Sequence, residues 1–570
     1  MDKMDEHENP QVFQSGRIDR TDPSVNKGSA ETIGFADPQV FQSGRIDRTD
    51  PSVNKGSAET IGFADPQVFQ SGRIDRTDPS VDNKDDYSYH QIETGKSKIY
   101  DTDSDVIIGL EVHVQLNKLK SKLFCSCSTS YHNSEPNTHT CPVCLGLPGA
   151  LPVINKKAVE FGIKVALALD CTLLNQTLFY RKNYFYPDLP KGYQISQYDF
   201  PLAKNGTVSI TTDTGEKIIR INRVHMEEDP AKLIHTGGME HSKYTLVDYN
   251  RSGMPLLEIV TEPDLSSPKE ARRFLDKLRS ILEYLEVFDG DLEGAMRVDA
   301  NISLRGGSRA EVKNISSHKG VEKALLYEKT RHKNLRMKNI RVKRETRHYD
   351  EERGITIPLR TKEEEEDYRY FPEPDIPPMN VKDWETRLRN EIPELPDAKR
   401  QRFIKEYGIK EEHARSLTSD IAIADYFEMV SKEIEPNIAA SWIADVIKGE
   451  LNYRDIKLKE SDLTVDKTIK ILKKFVSGEI TDRNTIELIR EVIDSGKDPE
   501  QIIKEKRLGK AGEDEISVLV KRVIEENPDA VEDYHNNKGK ALNYLVGKVM
   551  ALSKGRSDPK EVINLLRKYL

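Results

Sequence analysis

In DVIIGLEVHVQL (105–116) apolar and polar residues alternate strictly, with Leu110, Val112, Val114 and Leu116 on one face and Glu111, His113 and Gln115 on the other. Side chains on a β-strand point to opposite faces in turn, so this pattern predicts a half-buried strand. The pattern returns in AMRVDANISL (295–304), where Arg297, Asp299, Asn301 and Ser303 oppose Met296, Val298, Ala300, Ile302 and Leu304. MPLLEIVTEPDL (254–265) places Glu258 and Glu262 on one face, and its apolar neighbours Leu257 and Ile259 aim Glu258 away from the core. For a single strand this is the ordinary wetting of a sheet's outer face. Acids and a histidine at matching depth on several strands predict a polar cleft instead. From about residue 380 the period changes. NIAASWIADVIKGEL, TIKILKKFVSGEITDRNTIELIREVIDSG and the stretch from GEDEISVLVKRVIEENP onward are amphipathic helical segments with short Gly, Asp and Pro breaks. They predict a helical, separately folded C-terminal third.

The first 81 residues follow neither period. PQVFQSGRIDRTDPSVNKGSAETIGFAD occupies 10–37, recurs unchanged at 38–65 and begins again at 66–81. Solenoid repeats diverge around a shared core, whereas these copies are identical, polar and too poor in apolar residues to offset the entropy of ordering. A disordered extension carrying a recent duplication is expected over 1–100, ending in the polar linker at 82–104. At 570 residues the chain has room for several domains, and its 36% hydrophobic and 32% charged content describes a soluble, highly charged protein. No apolar run reaches the roughly 18 residues of a membrane span, and the start has no apolar stretch of a secretory signal. A cytoplasmic protein is expected. The net charge of -9 argues against a general nucleic-acid coater. One local exception is EKTRHKNLRMKNIRVKRETRH (328–348), a basic helix that is either a solvated face or an RNA contact.

Four of the five cysteines lie within twenty positions: Cys125 and Cys127, then Cys141 and Cys144. Two close pairs separated by a short polar loop form two knuckles that converge as four thiolates on tetrahedral zinc. Such clustering also fits a reducing compartment. Cys171 is left over and reads as a small core residue.

With these knuckles, the first strand and RKNYFYPDLPKGYQISQYDFPLA (181–203) in view, the chain resembles the B-subunit family of the tRNA-dependent amidotransferases. The resemblance runs from about Val106 to the C-terminus through IGLEVHVQL, CPVCLGLPGALPV, HMEEDPAKL, DYNRSGMPLLEIVTEPD, MRVDANISLR, EVKNISS, EEDYRYFPEPDIPP and YLVGKVMALSKGRSDP. His318 stands where a Phe is more usual, and the basic helix after it is more basic than the family's. The related archaeal E-type chain carries a large insertion before its helical tail. Here YFPEPDIPP passes directly toward the tail helices, so the B type fits better.

The resemblance implies an α+β fold: a cradle-like antiparallel-sheet catalytic domain with zinc knuckles (101–395), then an all-helical linker domain (396–500) and a helical tail domain that binds tRNA (501–570). It implies ATP-dependent phosphorylation and amidation of the carboxylate of Asp-tRNA(Asn) or Glu-tRNA(Gln). Its partners would be the glutaminase (A) chain, which supplies ammonia, and the small C chain of the same amidotransferase. The family's magnesium positions fall on His113, Glu227 and Glu258, with Glu111 beside them. Residues two apart on a strand point the same way about 6.6 Å from each other, so Glu111 and His113 can address one site. Histidine suits manganese better than magnesium, and His113 could instead orient a metal-bound water or hydrogen-bond a phosphate. HMEEDPAKL offers His225, Glu227, Glu228 and Asp229, and not all can be ligands. Lys182 and Lys191 are candidates for holding phosphate or the acceptor end. In the tail, Lys540, Lys548, Lys554 and Arg556 read either as ordinary cations of a soluble helix or as contacts to tRNA phosphates, and the resemblance favours the second. The zinc would be structural, since four thiolates leave no open position. Two motifs mislead. TGKS (94–97) lacks the first glycine and the preceding strand of a phosphate-binding loop, and CLG at 144–146 lacks the flanking residues of a glutaminase nucleophile turn. The chain is therefore expected to depend on a companion chain for ammonia from glutamine. The competing reading is a non-catalytic, zinc-stabilised tRNA-binding scaffold.

Overall fold

The computed structural model describes residues 105–235, 244–359, 368–536 and 540–570, so the repeats, the 82–104 linker and its TGKS lie outside the described residues. The strands that matter here are β1 (Val106–Gln115), β2 (Tyr180–Asn183), β3 (Tyr193–Ser196), β4 (Ala203–Thr212) and β5 (Gly215–Glu228). They are followed by β6 (Pro255–Thr261), β7 (Met296–Leu304), β8 (Ala310–Ile315), β9 (Glu345–Asp350) and β10 (Ile355–Pro358). Together with Phe371–Pro372 and Thr172–Leu173 they form one twelve-stranded sheet among the described residues. Its order is β10-β9-β8-β7-β1-β6-β5-β3-β2, ending on Phe371–Pro372, while β4 pairs with β5 and Thr172–Leu173 with β4. The pairs are antiparallel except β8–β9, which is parallel. The fold is thus α+β, a large and mostly antiparallel sheet followed by helices.

The alternation in the sequence decides which face of the sheet is covered. Val112 and Val114 of β1, Val224 of β5 and Leu257 and Ile259 of β6 are all 0% exposed. Helix α1 (Lys156–Ala168) packs on β4 and β5, α2 (Pro268–Tyr284) on β4, and α3 (His318–Met337) on β7, β8 and β10. Each helix starts at a side-chain cap that satisfies otherwise orphaned N–H groups. Asn155 accepts from Lys157 and Ala158 N, Ser267 from Glu270 N with Pro268 opening the helix, and Ser317 from Gly320 N. All three helices lie against the apolar side, which leaves the other face at the centre of the sheet open.

The basic segment expected as one helix over 328–348 is helical only to Met337. Lys338 caps it, Asn339 takes a left-handed conformation (φ 56°), and Glu345–Asp350 is drawn into β9 beside β8. Pairing with an exposed sheet edge outweighs the helical propensity of the Lys- and Arg-rich run.

The helices from Pro396–Tyr407 to Pro499–Lys506 enclose a second core running from Phe403 to Leu508. The last four, Glu513–Glu526, Pro528–His535, Ala541–Leu552 and Pro559–Tyr569, enclose a smaller third one. Thr464, Thr481 and Asp498 cap helices here in the same way as in the sheet region. Tyr284, at the end of α2, donates to Thr418 O (3.0 Å) and fastens the first core to the second.

Cys171 is buried in the first core, as expected of a small apolar residue. Its sulfur sets a constraint on β4. A Cβ at Gly206 would lie 2.2 Å from Cys171 Sγ and 2.5 Å from the carbonyl oxygen of Leu169, and the latter cannot rotate away. Gly206→Ala is expected to cost about 1–3 kcal/mol through this overpacking, read as a lower denaturant midpoint at unchanged slope. A neutral result would mean that β4 does not approach the α1 C-terminus this closely.

Candidate active site and cysteine cluster

The open face carries charge. In register across the sheet, Arg297 of β7 stands opposite His113 of β1, His113 opposite Glu258 of β6, and Glu258 opposite His225 of β5. One rung along, Asp299 stands opposite Glu111. Directly paired residues in an antiparallel sheet share a face, so these six side chains form one polar field. His113 Nε2 lies 3.6 Å from Glu111 Oε1, 3.8 Å from Glu227 Oε1 and 3.6 Å from Glu258 Oε2. His225 Nε2 is 3.1 Å from Glu258 Oε2. The His113 separations exceed hydrogen-bond length, so the imidazole and three carboxylates surround a point rather than bond one another.

The strand period also separates the acids of HMEEDPAKL. Glu227 faces the cleft, where Ser196 Oγ donates to it (3.2 Å). Glu228 points the other way and accepts from Lys191 Nζ (2.5 Å) and Ile195 N (2.9 Å). Asp229 returns to the first side, accepting from Gln115 Nε2 (2.6 Å) and Arg297 Nη2 (2.6 Å). The structure therefore brings Glu111, His113, Glu227 and Glu258 together. It does not bring Lys191 with them, since that amine is committed to Glu228.

Lys182, on β2, does reach the cleft. That cleft has a volume of about 950 Å³ and is lined by Glu111, Glu227, Glu258, Lys182, Tyr370 and Lys313 among others. Lys182 Nζ sits 5.0 Å from the ring centre of Tyr368. Tyr198 and Tyr370 stack at 4.2 Å with rings 4° from parallel. Sequence reasoning missed Glu311 and Lys313 of β8, although AEVKNI carries the same period-two signal, and it gave no role to Arg309 or to the tyrosines of EEDYRYFPEPD.

Burial alone would disfavour the charged His113, yet Glu258, Glu227 and Asp299 overcome it and hold the imidazolium pKa at about 9. Burial tends to raise the Glu258 carboxyl, but His225 and His113 keep it well below its usual range. Glu111 moves up through burial and then the Glu258 charge. Asp299, though buried, is held down by Lys313, whose Nζ donates to it at 2.7 Å. The site is thus an anionic centre ringed by cations. Two overlapping sets, Glu111/His113/Glu258 and His225/Glu227/Glu258, each bring their ligand atoms within 4.8 Å of one another. Such an oxygen-rich donor set fits a hard divalent cation with one or two nitrogen donors.

The four knuckle cysteines also converge, with sulfurs within 4.8 Å of one another and no disulfide among them. Hydrogen bonding with Cys125, followed by the charge of Lys122, brings the Cys144 thiol down to about 5. Lys122 Nζ donates to His139 O (2.8 Å), and Ser252 Oγ donates to Cys144 O (3.2 Å). Gly253 is left-handed (φ +84°), and a Cβ there would meet Cys144 Cβ at 3.3 Å. The cluster therefore abuts the turn that leads into β6 and Glu258.

Of the tail candidates, Lys540, Lys548 and Lys554 are exposed, and Lys548 Nζ lies 5.3 Å from the Tyr544 ring centre. Arg556 is paired with Glu515.

Comparison with known proteins assigns the class. The family profile of the GatB/GatE catalytic domain matches residues 106–386, and that of the GatB domain matches 425–570. The chain is 58% identical to the B subunit of the aspartyl/glutamyl-tRNA(Asn/Gln) amidotransferase of Methanococcoides burtonii, over 82% of this chain and 98% of that one. It is 56% identical to the B subunit of the same name from Methanosarcina barkeri, over 83% and 99% of the two chains. The chain belongs to the B-subunit family of the aspartyl/glutamyl-tRNA(Asn/Gln) amidotransferases.

Lys191 and Glu228 form a desolvated pair outside the cleft, with side chains 9% and 3% exposed. Lys191→Met strands the Glu228 charge and is expected to destabilise by about 3–5 kcal/mol. Adding Glu228→Gln should recover much of that loss in denaturant titrations. Equal stability of the two variants would show that the pair carries no coupling.

Proposed function

We propose that this chain activates the tRNA-linked carboxylate of Asp-tRNA(Asn) or Glu-tRNA(Gln) with ATP and exchanges it for an amide. The observation that carries this reading is the convergence of Glu111, His113, Glu227 and Glu258 on the open face of the sheet. A carboxylate is a poor electrophile. Its oxygen attacks the γ-phosphorus and ADP leaves, giving an acyl phosphate. Ammonia then attacks the acyl carbon, phosphate departs and a proton is lost. Magnesium held by Glu227, Glu258 and His113 would neutralise charge on the transferring phosphoryl group. Glu111 steadies that set, and Lys182 with Lys313 places positive charge on the phosphate side of the cleft.

The region 101–395 is assigned the catalytic role as a cradle for ATP and the acceptor end, 396–500 a linking role and 501–570 tRNA binding through Lys540, Lys548 and Lys554, with Arg556 released from Glu515. Lys191, tied to Glu228, shapes the wall beside the acceptor end. The four cysteines would hold structural zinc, fixing the turn into β6. A glutaminase (A) chain and a small C chain complete the enzyme. The relatives' names support this division, since each is called one subunit of an amidotransferase. No described helix is long and apolar enough to cross a membrane, which is compatible with work in the cytoplasm beside the translation machinery. A non-catalytic scaffold would have no use for three carboxylates and two histidines on neighbouring rungs, two of the carboxylates almost fully buried.

The test is ATP-dependent amidation of both misacylated tRNAs, with free ammonium and this chain assembled with its companion subunits. Glu227→Ala and Glu258→Ala are each expected to lower turnover by about 10²–10³ while tRNA binding holds. Full activity in both variants would move the chemistry to a companion chain. Metal analysis of the purified chain should give one zinc per chain, lost in Cys141→Ser/Cys144→Ser together with thermal stability. A metal-free wild type of undiminished stability would refute the zinc assignment.

A further inference from the structure

The turn between α3 and β9 is a concentrated run of positive charge that the site chemistry does not use. From Lys329 to Arg344 the chain has no acidic residue, although its net charge is -9. Several surface bases elsewhere are matched, among them Arg402 with Glu394, Arg454 with Asp494 and Lys510 with Glu561. In the turn, Lys338, Arg341, Lys343 and Arg344 are exposed, and among the described residues none of them forms an ion pair. Arg336, on the last turn of α3, has an acid near, Asp105 at 3.8 Å.

The turn is anchored and leads to the cleft. Glu328 of α3 is 0% exposed and pairs with Arg331 (2.7 Å) and Arg347 (3.1 Å), pinning the start of β9 to the helix. Glu345 N donates to Arg309 O (3.4 Å), so Arg309 and Arg344 leave adjacent strand starts, and both line the cleft. A row of cations thus runs from the cleft wall out along the exposed turn. Arg309, Arg344 and Lys313 line the cleft, where a small nucleotide would meet them. Lys338, Arg341 and Lys343 do not line the cleft, and a ligand that meets them as well must be an extended polyanion.

We propose that this turn is a second phosphate-binding surface, separate from the tail, which grips the backbone of the acceptor stem of the aminoacyl-tRNA as its 3′ end enters the cleft. Exposed cations with no paired acid among the described residues fit a charge-based contact with an RNA backbone. The inference rests on the cleft being where the acceptor end is amidated.

The test uses the assembled enzyme with Arg341→Gln/Lys343→Gln, two exposed positions whose loss spares the core. Binding is measured to the full aminoacylated tRNA and to an RNA hairpin of its acceptor stem, which lacks the parts that the tail would hold. Affinity for both should fall about tenfold, and the slope of log K against log salt should drop by about two, one for each phosphate contact removed. KM for tRNA should rise by the same factor while turnover at saturating tRNA stays. Unchanged hairpin affinity and salt slope would overturn the proposal. So would turnover lost at saturating tRNA with binding intact, which would place the turn in the chemistry. Either outcome is independent of the cleft assignment, since that stands or falls on Glu227→Ala amidation with free ammonium.

Discussion

Everything in the sheet region depends on keeping carboxylates ionised where water is scarce. Glu258 and Asp299 are nearly buried, and a lone carboxylate in such a place would take up a proton. Here each is matched across a rung or from a neighbouring strand: Glu258 by His113 and His225, Asp299 by Lys313. The antiparallel register supplies these partners because it fixes which side chains share a face. A slip of one residue would turn His113 into the core and Val112 into the cleft. The hydrophobic side of the sheet therefore protects the polar field indirectly. Ile108, Leu110 and Val112 hold the register, and the register holds the charges.

The same dependence on position explains the run of three acids after His225. Glu227, Glu228 and Asp229 look equivalent in sequence, yet the pleat sends them to different neighbourhoods. Glu227 remains short of strong partners and is available to a cation. Glu228 is engaged by Lys191 and the N–H of Ile195, and Asp229 by Arg297 and Gln115. Availability, more than acidity, distinguishes a candidate ligand from a structural carboxylate.

Strict alternation made β1, β6 and β7 legible, and with them the placement of Glu111, His113 and Glu258 on one face. The quartet of cysteines was equally legible, because its spacing has few uses. The basic run after His318 read as one helix to residue 348, since local propensity cannot announce that an unpaired strand edge waits for Glu345–Asp350. Glu311 and Lys313 were hidden for a related reason. Their strand is six residues long, and its partner on one side is a parallel strand reached only through the α3 crossover. Lys182 and Lys191, both loop-like in sequence, could be separated only by seeing which of them finds an acid behind the cleft wall.

The two metal-competent clusters are tied to each other through one short turn. Ser252 holds the Cys144 carbonyl, left-handed Gly253 packs close against Cys144 Cβ, and Leu123 N donates to Gly253 O at 3.0 Å. Two residues later β6 begins, and its fourth residue is Glu258. A cation drawing the four sulfurs together would thus act on the cleft by fixing where β6 starts, with no need to touch substrate. The carboxylate field has the opposite requirement. It needs exchangeable space at its centre, and the His113 contacts of 3.6–3.8 Å leave that space. A closed cluster beside the start of a strand and an open cluster on its face are two answers to one problem, which is how to hold several like charges in a fixed geometry.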